Sequence, residues 1–151
     1  MKLKPLIGAG DRIALFVLPF VVVGVVLNVA FPSAFEVGGP SDALRTVSIV
    51  VLIPGVVLWL WSVALVLTRV PRRELITSGP FALVKHPIYT SVALLGLPWL
   101  GFLLNTWLGA AIGLVLYVAC RRYAPQEEAV LAETFGPAWD AYVADVKLGW
   151  L

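Results

Sequence analysis

Four nearly unbroken apolar stretches divide the chain, and its polar residues gather between and after them. They run from about Ile13 to Phe31, Ala43 to Thr68, Pro87 to Leu104, and Thr106 to Tyr123. Each approaches the roughly 20 residues a helix needs to cross a bilayer. The pattern predicts an all-α polytopic membrane bundle of about four transmembrane helices, a single domain over residues 1–151. The first stretch is too long for the apolar core of a signal peptide, and Asn28-Val29-Ala30 is a poor cleavage site, so it reads as a span. Pro54-Gly55 is expected to kink or loosen the second, and Pro98 lies inside the third. Asn105 is nearly the whole connection between the third and fourth, which makes them an antiparallel helical hairpin. Trp99 and Trp107 near its tip suit an interfacial belt, and Trp99 suits packing between helices equally well.

Beyond Tyr123 the chain is polar but still helical in period. Pro125 reads as a helix opener and Gly136-Pro137 as a stop and new start, giving two short cytosolic interfacial helices within about residues 125–147. In the first, Glu127, Leu131 and Phe135 are four apart and Glu128 is three before Leu131, so both carboxylates flank the inward stripe. In the second, Trp139, Tyr142, Val143 and Val146 form one face, as in a helix lying in the membrane surface.

Composition agrees: 60% of residues are hydrophobic and 13% charged, with a mean hydropathy of +0.95. A soluble domain carries roughly 25% charged residues. With about 80 residues in spans, no independent soluble catalytic domain fits, so any site must be built from helix ends and loops. The net charge of +2 is scattered, which argues against nucleic acid as a partner. Cys120 is the one cysteine and His86 the one histidine, so neither an internal disulfide nor a metal site of several Cys or His ligands can form. Gly8-Ala9-Gly10 mimics the start of a dinucleotide fingerprint, but no strand precedes it and Ile13 stands at the third glycine. Basic residues set the orientation: Lys2, Lys4, Arg12, Arg69, Arg72, Arg73, Lys85, Arg121, Arg122 and Lys147 fall on one side, and Arg45 alone lies near the other. Both termini are expected in the cytoplasm, at the inner membrane of a bacterium or the endoplasmic reticulum of a eukaryote.

Groups capable of chemistry concentrate in two segments, Ser78 to Tyr89 and Arg121 to Trp139, one just before the hairpin and one just after it. The hairpin brings them together. Lys85-His86-Pro87 opens a helix, where Pro87 suits the first turn and His86 the cap; helix dipole and Lys85 charge would suit a small anion. Taken alone, the simpler reading gives Lys85 to lipid phosphates and His86 to capping. Glu127 and Glu128 read alone as solvated acids, but inward-facing carboxylates need partners, and Arg121, Arg122 or a ligand's amine and ribose hydroxyls are at hand. Tyr89, Tyr123 and Trp139 line a cavity or merely anchor. Asn28 reads as a packing residue.

Gly79-Pro80-Phe81, Lys85-His86-Pro87-Ile88-Tyr89, and Glu127-Glu128 followed by Leu131, Phe135-Gly136, Trp139, Tyr142 and Val146 together resemble the C-terminal signature of the isoprenylcysteine carboxyl methyltransferase family, relatives of the phospholipid N-methyltransferases. The resemblance covers about Ser78 to Val146 and implies S-adenosylmethionine as methyl donor. Carried onto this sequence, it implies a donor held by His86, Tyr89, Glu127 and Glu128, with Gly79, Pro80, Lys85 and Tyr123 beside them, and Glu127, Glu128 and Arg122 at the reacting groups. Departures lie at Lys85 for the common arginine, Ser91 for glycine, Trp139 for tyrosine, and a tail without the usual Arg and Pro. The tail and the N-terminal spans are where substrate contacts would differ. The implied partner is a lipophilic acceptor reached from the bilayer, its acceptor atom a carboxylate, amine, hydroxyl or thiol. The alternatives are a nicotinamide-dependent reductase of a sterol or related lipid, and a non-catalytic membrane protein.

Overall fold

In the computed structural model, residues 4–39 and 41–149 are described, with the backbone alone for 4–9. Lys2 and the side chain of Lys4, both part of the charge-based orientation, lie outside that description. Long apolar runs form long helices: α1 spans Lys4–Ala30 and α3 spans Asp42–Arg69, joined through a short helix α2 at Pro32–Phe35. Ser41 caps α3, its hydroxyl accepting from the Leu44 N–H at 3.2 Å. Pro54-Gly55 does not interrupt α3; Gly55 is buried against Leu95.

The third stretch divides into α4 (Pro87–Thr90), a π-helical turn (Ser91–Gly96) and α5 (Leu97–Leu103). Pro98 explains the wide turn, because it offers no N–H to the Leu94 carbonyl and its ring crowds that position, so the backbone before it widens. The chain reverses through Asn105, at φ +60°, into α6 at Leu108–Phe135. Expectation and structure part here. Pro125 opens no new helix; α6 runs through it for 28 residues. Ile112 and Ala119 before Pro125 are buried against α1, and Leu131 after it is half-buried against α7, so packing on both sides of Pro125 offsets the lost bond. Gly136, at φ +51°, ends α6, and α7 follows at Pro137–Asp145.

The hairpin is closed by small residues. A β-carbon placed on Gly101 would stand 2.9 Å from the Gly109 backbone, and those on Gly109 and Gly113 would run into the carbonyls of Leu97 and Ala93. Such backbone-to-backbone approach is how helices associate where lipid removes the hydrophobic drive. α1 packs on α6 through Ile13 and Val17, while α3 packs on the other arm through a stripe of Ser48, Gly55 and Ser62. The hairpin thus sits between the two long helices. At its tip, Thr106 donates to Asn28 Oδ1 at 2.7 Å, and Trp107 stacks on Phe35 while its indole donates to Ala34.

The surface is inverted relative to a soluble protein. Leu15 is 69% exposed, Val29 75% and Leu67 70%, amid continuous apolar surface that water would not tolerate. The chain is all-helical among the described residues, and two helices are long and apolar enough to cross a bilayer, Gly10–Ala30 and Asp42–Arg72. The expected count of four spans is not confirmed: beside these two, Pro87–Leu103 is a shorter apolar helix, and α6 becomes charged from Arg121 onward.

α7 does not lie free on a membrane surface. Trp139, Tyr142 and Val146 are buried against Leu75, Leu131, Ala132 and Phe135, whereas Val143, expected on the same face, points outward. Tyr142 donates to the Phe81 carbonyl at 2.8 Å, and the backbone N–H groups of Lys147 and Leu148 reach the carbonyls of Ala82 and Leu83. The C-terminal segment therefore clamps the turn that leads into Lys85. Tyr142→Phe is expected to cost about 1 kcal/mol of stability by leaving that carbonyl without its donor. Chemical unfolding in detergent reads this directly.

Candidate functional site

The short connection between α5 and α6 sets the ends of two segments side by side, although about 40 residues separate them in sequence. Lys85 Nζ lies 2.7 Å from Glu128 Oε1 and donates to Oε2 at 2.8 Å, and His86 Nε2 lies 3.0 Å from Oε1. One carboxylate clasps two basic side chains across the hairpin. The sequence reading gave that role to Arg121, Arg122 or a ligand, and His86 to capping. His86 does occupy the cap position before Pro87, but its side chain makes no capping bond and turns to Glu128 instead. A charged acceptor outcompetes a peptide N–H for the ring.

A cleft of about 210 Å³ opens beside the clasp, lined by Lys85, His86, Tyr89, Arg121 and Glu128, with Tyr117, Cys120 and Ala124 along its α6 wall. The α6 wall is a helical stripe: residues 117, 121, 124 and 128 are spaced by four, three and four. Tyr117, Cys120 and Ala124 escaped the sequence reading because breaking the helix at Pro125 hid that stripe. Counting back from Glu128 along an unbroken helix finds them.

Other predicted residues sit elsewhere. Gly79 adopts φ +63° in a 3-10 turn (Gly79–Ala82) and presses on Trp61, where a β-carbon would stand 3.0 Å from the indole. Pro80 is fully buried beside it. Both shape the approach to Lys85 and neither lines the cleft. Tyr123 packs edge-on to Phe16 of α1, with ring centroids 6.0 Å apart. Arg122 is exposed and, unlike Arg121, does not line the cleft. Trp139 belongs to the α7 cluster.

The two glutamates differ. Glu128 is held well below the usual carboxylate range, down to about 2, first by its hydrogen bond to His86 and then by Lys85, against the opposing effect of burial. Glu127 is pushed upward, chiefly by burial and further by Glu128, with His86 opposing. Among the described residues Glu127 has no hydrogen bond or ion pair. It lies on α6 between Tyr123 and Gln126, which meet Phe16 and Arg12 of α1, and Ala124 and Glu128, which line the cleft.

Because its folded pKa is depressed, Glu128 stabilises the fold fully above its ordinary value near 4.5, and that contribution is lost as pH falls toward about 2. Acid titration of the detergent-solubilised protein by circular dichroism should show this loss, and Glu128→Gln should flatten the profile in that window.

The chain matches a family model, that of the isoprenylcysteine carboxyl methyltransferase (ICMT) family, over residues 43–133. The chain belongs to this family. The family is one of membrane methyltransferases, and the match takes in α3, the hairpin and the clasp residues Lys85, His86 and Glu128 together with Glu127. It reaches further toward the N-terminus than the signature beginning near Ser78, so α3 shares the family pattern, while α1 and α7 lie outside it. No curated protein matches the chain, and no solved structure matches it.

Proposed function

We propose that this ICMT-family protein binds S-adenosylmethionine in the cleft between α4 and α6 and transfers its methyl group to a lipophilic acceptor drawn from the bilayer. The observation that carries the reading is the Lys85–Glu128–His86 clasp, which joins the two halves of the signature in one small polar cleft within an otherwise apolar helical protein. On the distribution of basic residues, this end faces the cytosol, where the donor is dissolved.

The lining fits a cationic nucleoside in kind. Lys85 offers a partner for a carboxylate, Glu128 for an ammonium or ribose hydroxyl, and Tyr89 and Tyr117 offer ring faces to a sulfonium. In size the cleft is tighter, below the roughly 300–1,000 Å³ of common ligand sites, so donor binding must widen it. The bound donor supplies an already activated methyl, which leaves the protein the tasks of alignment and exclusion of water. Low dielectric and fixed helix ends suit both.

Isothermal titration of the detergent-solubilised protein with S-adenosylmethionine tests the donor site, and radiolabel transfer from the methyl group into extracted lipid tests the reaction. Saturable heat and labelled lipid are expected. Absence of donor binding to folded protein removes the reading.

A further inference from the structure

α1 lies outside the family match, yet its early turns reach the back of the donor cleft. Tyr89 lines that cleft and also packs against the core that α1 and α6 share, made of Ile13, Val17, Ile112 and Ala119. Its hydroxyl ends at Gly10 of α1. A β-carbon built on Gly10 would stand 3.1 Å from that oxygen, tighter than ordinary van der Waals contact. Glycine inside a helix is less stable than alanine, so a place that requires glycine has a local cause. The glycine that mimics a dinucleotide fingerprint in the sequence thus has a different use in the fold.

A side chain at position 10 would have to displace either α1 or Tyr89. α1 is held: Ile13, one turn on, is 2% exposed in the core with α6, and Arg12 donates to Gln126 of α6. The ring is the part that yields. Its open side is the cleft, so it moves into the space it shares with Tyr117 and Cys120.

Resting on the donor-site reading above, we infer that Gly10 is a positioning residue for S-adenosylmethionine. With no side chain, it lets the Tyr89 ring lie back against α1, which sets the width of the cleft and the place of the aromatic face beside the sulfonium. Gly10 touches no reacting group and acts through Tyr89 alone. A shift of a few tenths of an ångström is enough to matter, because the cleft is already narrow and methyl transfer depends on alignment.

The test is a double-mutant cycle on the full chain in detergent, with S-adenosylmethionine affinity read by calorimetry and stability by thermal melting. Gly10→Ala should weaken donor binding about threefold, and the bulkier Gly10→Val more, while the Gly10→Ala melting temperature holds or rises because alanine favours the helix. Affinity and stability then move apart, which a general packing defect would not produce. In the Tyr89→Phe background, where the crowding oxygen is gone, Gly10→Ala should cost less than about twofold, whatever Tyr89→Phe costs by itself. Gly24→Ala is the control: it crowds Leu108, which does not line the cleft, and should leave donor affinity unchanged. Undiminished affinity in Gly10→Ala, an equal loss in both backgrounds, or an equal loss from Gly24→Ala overturns the role of Gly10 and leaves the donor site standing. Failure of the wild-type chain to bind donor overturns both.

Discussion

Glu128→Ala is expected to weaken S-adenosylmethionine binding tenfold or more and to lower stability at neutral pH, the largest effect of any single change at the clasp. The carboxylate accepts from Lys85 and His86 at once, and all three groups are shielded: their side chains are 25%, 15% and 9% exposed. Removing it leaves the lysine charge partly buried without its counter-ion and frees both side chains from one fixed arrangement. Breaking a fully buried pair costs about 3–5 kcal/mol, and the residual exposure here brings the expected loss nearer to about 2 kcal/mol. Tenfold in affinity corresponds to about 1.4 kcal/mol. Glu128→Gln serves as the graded control, because an amide oxygen still accepts from both bases while the charge is gone. Donor titration and chemical unfolding on the three proteins separate the effects. If Glu128→Ala folds and binds donor as wild type does, the cleft is not the donor site.

This dependence on a partner across the hairpin marks where sequence reasoning succeeded and where it stopped. Apolar runs located α1 and α3 well, with the second expected at Ala43 to Thr68 and found at Asp42–Arg69, since uninterrupted hydrophobicity over such lengths has one stable form in lipid. The near absence of a linker around Asn105 was enough to foresee that Lys85-His86 and Glu127-Glu128 would meet. Pro125 misled, because a proline in a helix costs one bond locally while its tolerance depends on packing several turns away, which local sequence does not display. From that one error followed the missed lining residues Tyr117, Cys120 and Ala124. The count of four spans is not confirmed, for a related reason. Length along the sequence does not register that Pro98 diverts part of the third stretch into a π-helical turn, or that α6 carries its charge on the same rod as its apolar half. Nor does adjacency in sequence reveal function: Glu127 and Glu128 are neighbours, yet about 100° of helical rotation gives one two bases and the other none.

Gly109→Ala is expected to disrupt the hairpin itself, and the clasp with it. A methyl group on residue 109 would run into the Leu97 carbonyl and crowd Gly101, both backbone positions that no side-chain rotation can move aside. The arms must separate, and because the clasp bonds of 2.7–3.0 Å connect those same arms, an added separation of an ångström is enough to break them. Overpacking costs typically about 1–3 kcal/mol where side chains can yield, and a backbone clash lies at or above the top of that range. Donor affinity and thermal stability should therefore fall together. Leu114→Ala is the matched control on the same helix, since Leu114 is 64% exposed and faces away from the hairpin seam. It should bind donor as wild type does. Circular dichroism melts and donor titration on the pair measure both quantities, and a Gly109→Ala protein with unchanged melting and affinity would show that the arms are held together by something other than their close approach.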